Sequence, residues 1–229
     1  MKNSFTYAGL SLKNQRKTNM DALLLAERII DDRNALLISV CDGVGSLADG
    51  GTASAYAVRL LNEWFHSLTT VEHIGLRLRD AVSCSNRKII DYAREHSIDT
   101  ASTLSALLML GESYYIVNIG DSRIYSMQEE AIKLLTCDDV DSDGALTAAI
   151  GFSEDPIFFY SEGQIDEKLF IICSDGFYRR INFEQEEFLL NSVNYKTKKD
   201  MKKSIRRIIK QVINFGEKDN ISVAFARNC

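Results

Sequence analysis

Apolar residues first fall in short strand-like runs and then switch to helical spacing. Runs at Phe5–Leu10, Ala22–Glu27 and Ala35–Cys41 predict strands, the last apolar enough to be buried on both faces. From Thr52 to Leu68 the apolar positions Ala53, Tyr56, Ala57, Leu60, Leu61, Trp64, Phe65 and Leu68 recur at three and four, which predicts a helix with one stripe. A second helix is predicted over Glu72–Glu95, with Ile74, Leu78, Ala81, Ile89 and Tyr92 on one side. Strands resume at Thr103–Leu110, Tyr114–Ile119, Arg123–Met127 and Ile132–Leu135, the first two joined by a short Gly111-containing turn. A turn-rich stretch then leads to a strand at Lys168–Ser174, helices near Phe183–Asn191 and Thr197–Phe215, and a closing strand at Ile221–Ala226. Strands in runs and helices in runs predict an α+β fold with helix-covered sheets, not alternating βαβ units. With no repeat and no Pro/Gly/Ser linker, residues 1–229 are read as one domain.

Composition narrows the class. Of 229 residues, 45% are hydrophobic and 26% charged, which excludes disorder as the main state. No apolar run approaches the ~20 residues that span a bilayer, and the N-terminus lacks a secretory apolar core. A soluble, cytoplasmic protein that neither enters a membrane nor behaves as a secreted one is expected. Five scattered cysteines without CxxC spacing fit a reducing compartment. The net charge of −5 argues against nucleic acid as a partner. One segment runs the other way: Lys196–Lys210 holds eight Lys or Arg against one Asp. Its other face carries Met201, Ile205, Ile208, Ile209 and Val212, so it reads as a docked helix with a solvated cationic face or as a docking face for an acidic partner.

Four aspartates share one setting, the polar end of an apolar strand. They are Asp42, Asp121 and Asp175 after strands and Asp219 before the last one. A carboxylate there is held rigidly by the sheet yet stays outside its apolar interior, and neighbouring strands would converge several on one point. Their repulsion calls for a cation, and oxygen donors without Cys or His suit Mg²⁺ or Mn²⁺. Taken singly, an Asp-Gly at a strand end is most often just a turn; four such aspartates together shift the reading toward a metal site.

The motifs around these aspartates resemble, in order, those of the metal-dependent serine/threonine phosphatases of the protein phosphatase 2C type. Arg16, Asn19, Met20 and Asp21 match an early Arg-x-x-Asn-x-Asp motif; Asp42, Gly43, Gly45, Gly50, Ala53 and Ser54 match DGxGG…GxxAS. Ser102-Thr103-Leu104 fits the TTL strand, Asn118 through Arg123 fits NxGDSR, and Leu135 through Asp138 fits LTxD. Cys173-Ser174-Asp175-Gly176 matches CSDG, and Asp219-Asn220 the closing DN. The resemblance implies a four-layer α-β-β-α sandwich of two mainly antiparallel sheets flanked by helix pairs. It implies that Asp42 bridges two divalent cations, Mn²⁺ or Mg²⁺, that the Gly43 carbonyl binds one, and that Asp175 and Asp219 complete the set. It implies further that Asp21 holds metal-bound water, that Asp121 with Asp175 holds a weaker third cation, and that Arg16 grips the substrate phosphate. The implied reaction is attack by a metal-bridging hydroxide on phosphoserine or phosphothreonine of a protein substrate, opposing a Ser/Thr kinase, by a monomeric enzyme.

Two departures stand out. Met20 replaces an acid or amide, which weakens the second cation's holding, and the stretch from Asp138 to Leu146 is too short for the usual flap. They motivate an alternative, a pseudophosphatase used as a binding module; the retained Asp42, Asp175 and Asp219 speak against it. Other motifs fare worse. The Gly43–Ala48 loop is followed by two helices, not by the second strand of a dinucleotide site. Cys173 and Arg179 have the C-x5-R spacing of cysteine phosphatases, but Asp175 inside an anion cradle is electrostatically wrong. Asp139–Gly144 opens like an EF-hand loop yet has Ile150 where the bidentate Glu is required. His66, His73 and His96 fall in helical regions and supply no general acid.

Overall fold

A computed structural model describes residues 5–47, 49–128, 131–166, 169–181, 195 and 197–228. Among these residues, ten strands form two five-stranded sheets in which every pairing is antiparallel. The first contains, in spatial order, β1 (Phe5–Leu12), β10 (Ile221–Asn228), β9 (Leu169–Cys173), β6 (Arg123–Gln128) and β7 (Ala131–Leu134). The second contains β2 (Asp21–Ile30), β3 (Arg33–Asp42), β4 (Leu104–Leu110), β5 (Ser113–Ile119) and β8 (Phe159–Gln164).

Side-chain alternation sets the layers. On β3, Leu36, Ile38 and Val40 meet Phe170, Ile172, Ala224 and Ala226 between the sheets. Ala35, Leu37 and Cys41 face helices α1 (Gly50–Ser67) and α2 (Ile74–His96). On the far side, Val223 and Phe225 of β10 and Ile171 of β9 pack against Met201, Ile205, Ile208 and Val212 of α4 (Lys198–Asn214). The result is the expected α+β sandwich, helices outside and two sheets inside. The helix predicted near residues 183–191 lies outside the described residues.

Two elements escaped the pattern. β8 pairs only with β5 and its sequence, FYSEGQ, is half exposed, so no apolar alternation is required of an edge strand. The four-residue α3 (Asp175–Tyr178) is too short to show a period.

The strand termini place the acidic residues. Asp21 opens β2 and pairs in register with Asp42, which closes β3. Asp175 follows β9, Asp219 precedes β10, and Asp121 sits in the β5–β6 turn. The β9 and β10 ends touch so closely that a Cβ at Gly176 would lie 2.0 Å from the Asn220 carbonyl oxygen. Gly176→Ala must therefore push the two loops apart; a loss of about 1–3 kcal/mol is expected in urea unfolding, and an unchanged midpoint would contradict the contact.

Candidate functional site

The loop from Lys13 to Met20 is tied to the start of β10. Asn220 Nδ2 donates to the carbonyls of Lys13 and Thr18, each at 2.9 Å, and Asn220 Oδ1 accepts from the Met20 N–H at 2.8 Å. The Met20 carbonyl accepts from the Gly43 N–H at 3.2 Å and from the Ser54 hydroxyl at 2.5 Å, joining that loop to β3 and α1. A Cβ on Gly43 would come within 2.6 Å of Gly50, which explains why both positions are glycine. Thr103 clamps Asp42: its N–H donates to the Asp42 carbonyl at 2.9 Å and its hydroxyl accepts from the Asp42 N–H at 3.0 Å.

These ties enclose a cleft of about 840 Å³ lined by Arg16, Asp42, Gly43, Asp121, Asp175 and Asp219. Asp21 lies behind it, buried, with Oδ2 accepting from the Ser174 hydroxyl at 2.9 Å. All seven residues singled out in the sequence thus gather at one edge of the sheet pair. One more was missed. Arg179, four residues beyond Asp175, also lines the cleft, pairs with the Asp175 carboxylate and stands 3.8 Å from Asp219. In the sequence it stood out only in the C-x5-R spacing with Cys173; its pairing with Asp175 depends on a helical turn too short to be predicted.

Charge is unbalanced here. Burial pushes the Asp21 carboxyl up to about 6, against hydrogen bonds from Ser222 and Ser174. Asp42 is raised well above the usual carboxylate range, by burial first and then by the charges of Asp21 and Asp121. The two are hydrogen-bond neighbours only when a proton lies between them. Burial and then Asp138 raise Asp121. Burial also works against ionised Asp219, but the Arg16 fork, the Asn220 N–H and the charge of Arg179 together outweigh it and hold that group below its ordinary value. Arg16 Nε and Nη2 reach the two Asp219 oxygens at 2.8 and 2.6 Å.

Among the described residues, no three His, Cys, Asp or Glu side chains stand together as a metal would need them, and arginines engage Asp219 and Asp175. The donor set nevertheless fits a hard divalent cation. It is all oxygen, and Asp21 Oδ1 and Asp175 Oδ1 are buried without a hydrogen-bond partner.

The surroundings dispose of the rival motifs. Cys173 is fully buried in β9 and its thiol is pushed up by burial, the reverse of an activated nucleophile. Asp139 accepts from the Gly120 N–H at 2.9 Å, and Asp141 Oδ1 caps the N–H groups of Asp143 and Ala145, so this acidic turn spends its oxygens on backbone. Arg123 and Asp138 form a bidentate pair under the Tyr178 ring, bracing the β5–β6 turn through the Tyr178 hydroxyl, which donates to the Asp121 carbonyl at 2.9 Å.

Stability without cations should fall as pH rises. A raised carboxyl pKa means that the folded state keeps a proton the unfolded chain releases; the benefit is complete below the ordinary carboxylate range and lost through about 6. With EDTA, the melting temperature at about pH 8 is expected to lie several degrees below that at about pH 5. Asp42→Asn should shrink that gap. Equal melting temperatures at both pH values would contradict the buried pair.

Comparison with known proteins agrees with this geometry. The family model described as protein phosphatase 2C matches residues 8–221. The serine/threonine phosphatase stp of Listeria monocytogenes is 29% identical over 217 residues, 83% of each chain. In fold, the chain resembles the serine/threonine phosphatase Stp1 of Staphylococcus aureus, with a TM-score of 0.85 at 19% identity over 96% of this chain and 94% of that one. It also resembles the catalytic domain of serine threonine protein phosphatase PstP solved with two manganese ions, at 0.80 and 22% over 98% of each. With the family match running from the middle of β1 to the first residue of β10, and so through every strand end that carries an acid, the chain belongs to the protein phosphatase 2C family of serine/threonine phosphatases.

Proposed function

We propose that the acidic cleft is the catalytic centre of an Mn²⁺- or Mg²⁺-dependent phosphatase acting on phosphoserine and phosphothreonine in proteins. The observation that carries this is the meeting of Asp42, Asp121, Asp175 and Asp219 from separate strand ends, with Arg16 and Arg179 paired to two of them and Lys17 the further cation in the lining. Asp42, the Gly43 carbonyl, Asp175 and Asp219 would hold two divalent cations, with a weaker third between Asp121 and Asp175. Bound there, such cations acidify water as the attacking nucleophile and offset charge on the phosphoryl oxygens.

The chain's own groups do the rest. Arg16 presents a fork of N–H donors at the cleft mouth, now spent on Asp219, which suits a phosphoryl dianion equally well. Asp21, held by Ser174, orients water beside Asp42. No histidine lines the cleft among the described residues, so protonation of the leaving alkoxide falls to water or an aspartic acid. Met20 offers the cleft a side chain without oxygen, and its backbone is already committed to Asn220, Gly43 and Ser54. The second cation is accordingly held more weakly. We read the whole chain as one monomeric domain working in the cytoplasm against a Ser/Thr kinase; among the described residues, no helix is long and apolar enough to cross a membrane.

Hydrolysis of an aryl phosphate and a phosphothreonine peptide should require Mn²⁺ or Mg²⁺, stop with EDTA, and fall by roughly two orders of magnitude or more in Asp175→Asn. EDTA-resistant turnover lost in Cys173→Ser would reverse the assignment; a folded, inactive protein at millimolar Mn²⁺ would favour a binding module. Met20→Glu is expected to lower the half-saturating Mn²⁺ concentration several-fold. Arg179→Ala should do the same by freeing Asp175, while lowering the melting temperature of the cation-free protein. An unchanged Mn²⁺ requirement in both variants would contradict these roles.

A further inference from the structure

Beside the acidic cleft runs a groove of about 530 Å³ whose walls include Ala148, Phe152, Pro156, Ile157 and Phe158, with Asp139 at its edge. Phe152 lines both spaces, so the groove adjoins the cleft. Two of its apolar side chains lie bare: Ile157 is 88% exposed and Phe152 48%. Exposing apolar side chains this fully, side by side and next to a cleft, is a mark of a binding surface.

The walls are held rigidly. Buried Asn86 accepts from the Gly151 N–H at 2.8 Å and donates to the Ser153 carbonyl at 2.8 Å, gripping the Phe152 turn from both sides. Gly151 sits at φ +95°, and a Cβ there would lie 2.7 Å from the Thr100 carbonyl oxygen. Ile150 exchanges backbone hydrogen bonds with Ser102, whose hydroxyl donates to the Asp42 carbonyl. On the opposite wall, Thr147 donates its N–H to the Asp139 carbonyl, and Asp139 is itself bonded to Gly120, beside Asp121. Both sides of the groove are therefore anchored to backbone that positions cleft carboxylates, so their spacing is fixed before anything binds.

We propose that this groove seats an apolar side chain of the phosphoprotein substrate, carried within about three residues of the phosphorylated one, since an extended chain covers about 3.3 Å per residue. The proposal rests on the phosphatase reading and adds to it a substrate preference, for Leu, Ile, Val, Met or Phe near the phosphoresidue. The shared Phe152 wall argues for substrate as the occupant: a chain whose phosphate lies among Asp42, Arg16 and Asp219 has this apolar groove as its neighbour.

The test uses phosphothreonine peptides that are identical except for Leu or Asn at one flanking position, compared by kcat/KM for phosphate release by the full chain in Mn²⁺. At one position kcat/KM should be about tenfold or more higher with Leu than with Asn, and Ile157→Asp should bring that ratio to about one. Equal kcat/KM at every position, or a Leu advantage that survives Ile157→Asp, overturns the groove. Self-association abolished by Ile157→Asp assigns it to a second copy instead and also overturns the proposal. Aryl phosphate turnover, followed in parallel, reports on the phosphatase reading separately, because that substrate has no flanking residue.

Discussion

Five carboxylates crowded at one end of two packed sheets set the terms for everything else in this molecule. Asp21 and Asp42 are paired across neighbouring strands, and Asp121, Asp175 and Asp219 close the ring. In water such groups would spread apart; here each is fixed by a strand end whose position the apolar interior dictates. Burial and mutual repulsion drive Asp21 and Asp42 toward keeping a proton. Arg16 and Arg179 blunt the rest by pairing with Asp219 and Asp175. A divalent cation bound among them would relieve that repulsion, which is the physical ground for proposing one there.

The polar residues around the ring are fasteners. Asn220 holds the Arg16 loop by three hydrogen bonds, Ser174 steadies Asp21, Thr103 brackets Asp42 on both sides, and the Arg123–Asp138 pair braces the turn that carries Asp121. None of these needs to touch a substrate to matter. Each converts the stiffness of the sheets into a fixed separation between acids, which is the property that a cation-dependent phosphoryl site depends on.

Much of this was readable in the sequence because buried strands leave apolar runs and the acids stand at their ends. β3 and β9 could be placed to within two residues for that reason, and α1 by its stripe. β8 could not, since an edge strand with one neighbour carries no such pattern. Arg179 was legible only as half of a cysteine-phosphatase spacing; its partnership with Asp175 depends on a single helical turn that propensity does not reveal. The direct Asp21–Asp42 pairing depends on strand register, which periodicity alone leaves open. The apolar groove was invisible for the same kind of reason. It is made by the Phe152 turn and the residues before β8, distant from Asp42 in sequence but tied to it through Ser102.

The most direct test of the account is calorimetric titration of the metal-free protein with Mn²⁺ at several pH values, in buffers of differing ionisation enthalpy. If the buried Asp21–Asp42 pair holds a proton that the cation must displace, Mn²⁺ binding at about pH 6 will release protons, and affinity will rise with pH until the pair is already ionised. Binding with neither proton release nor pH dependence between about pH 5 and 8 would show that the cation goes elsewhere, and the account of this cleft would be wrong.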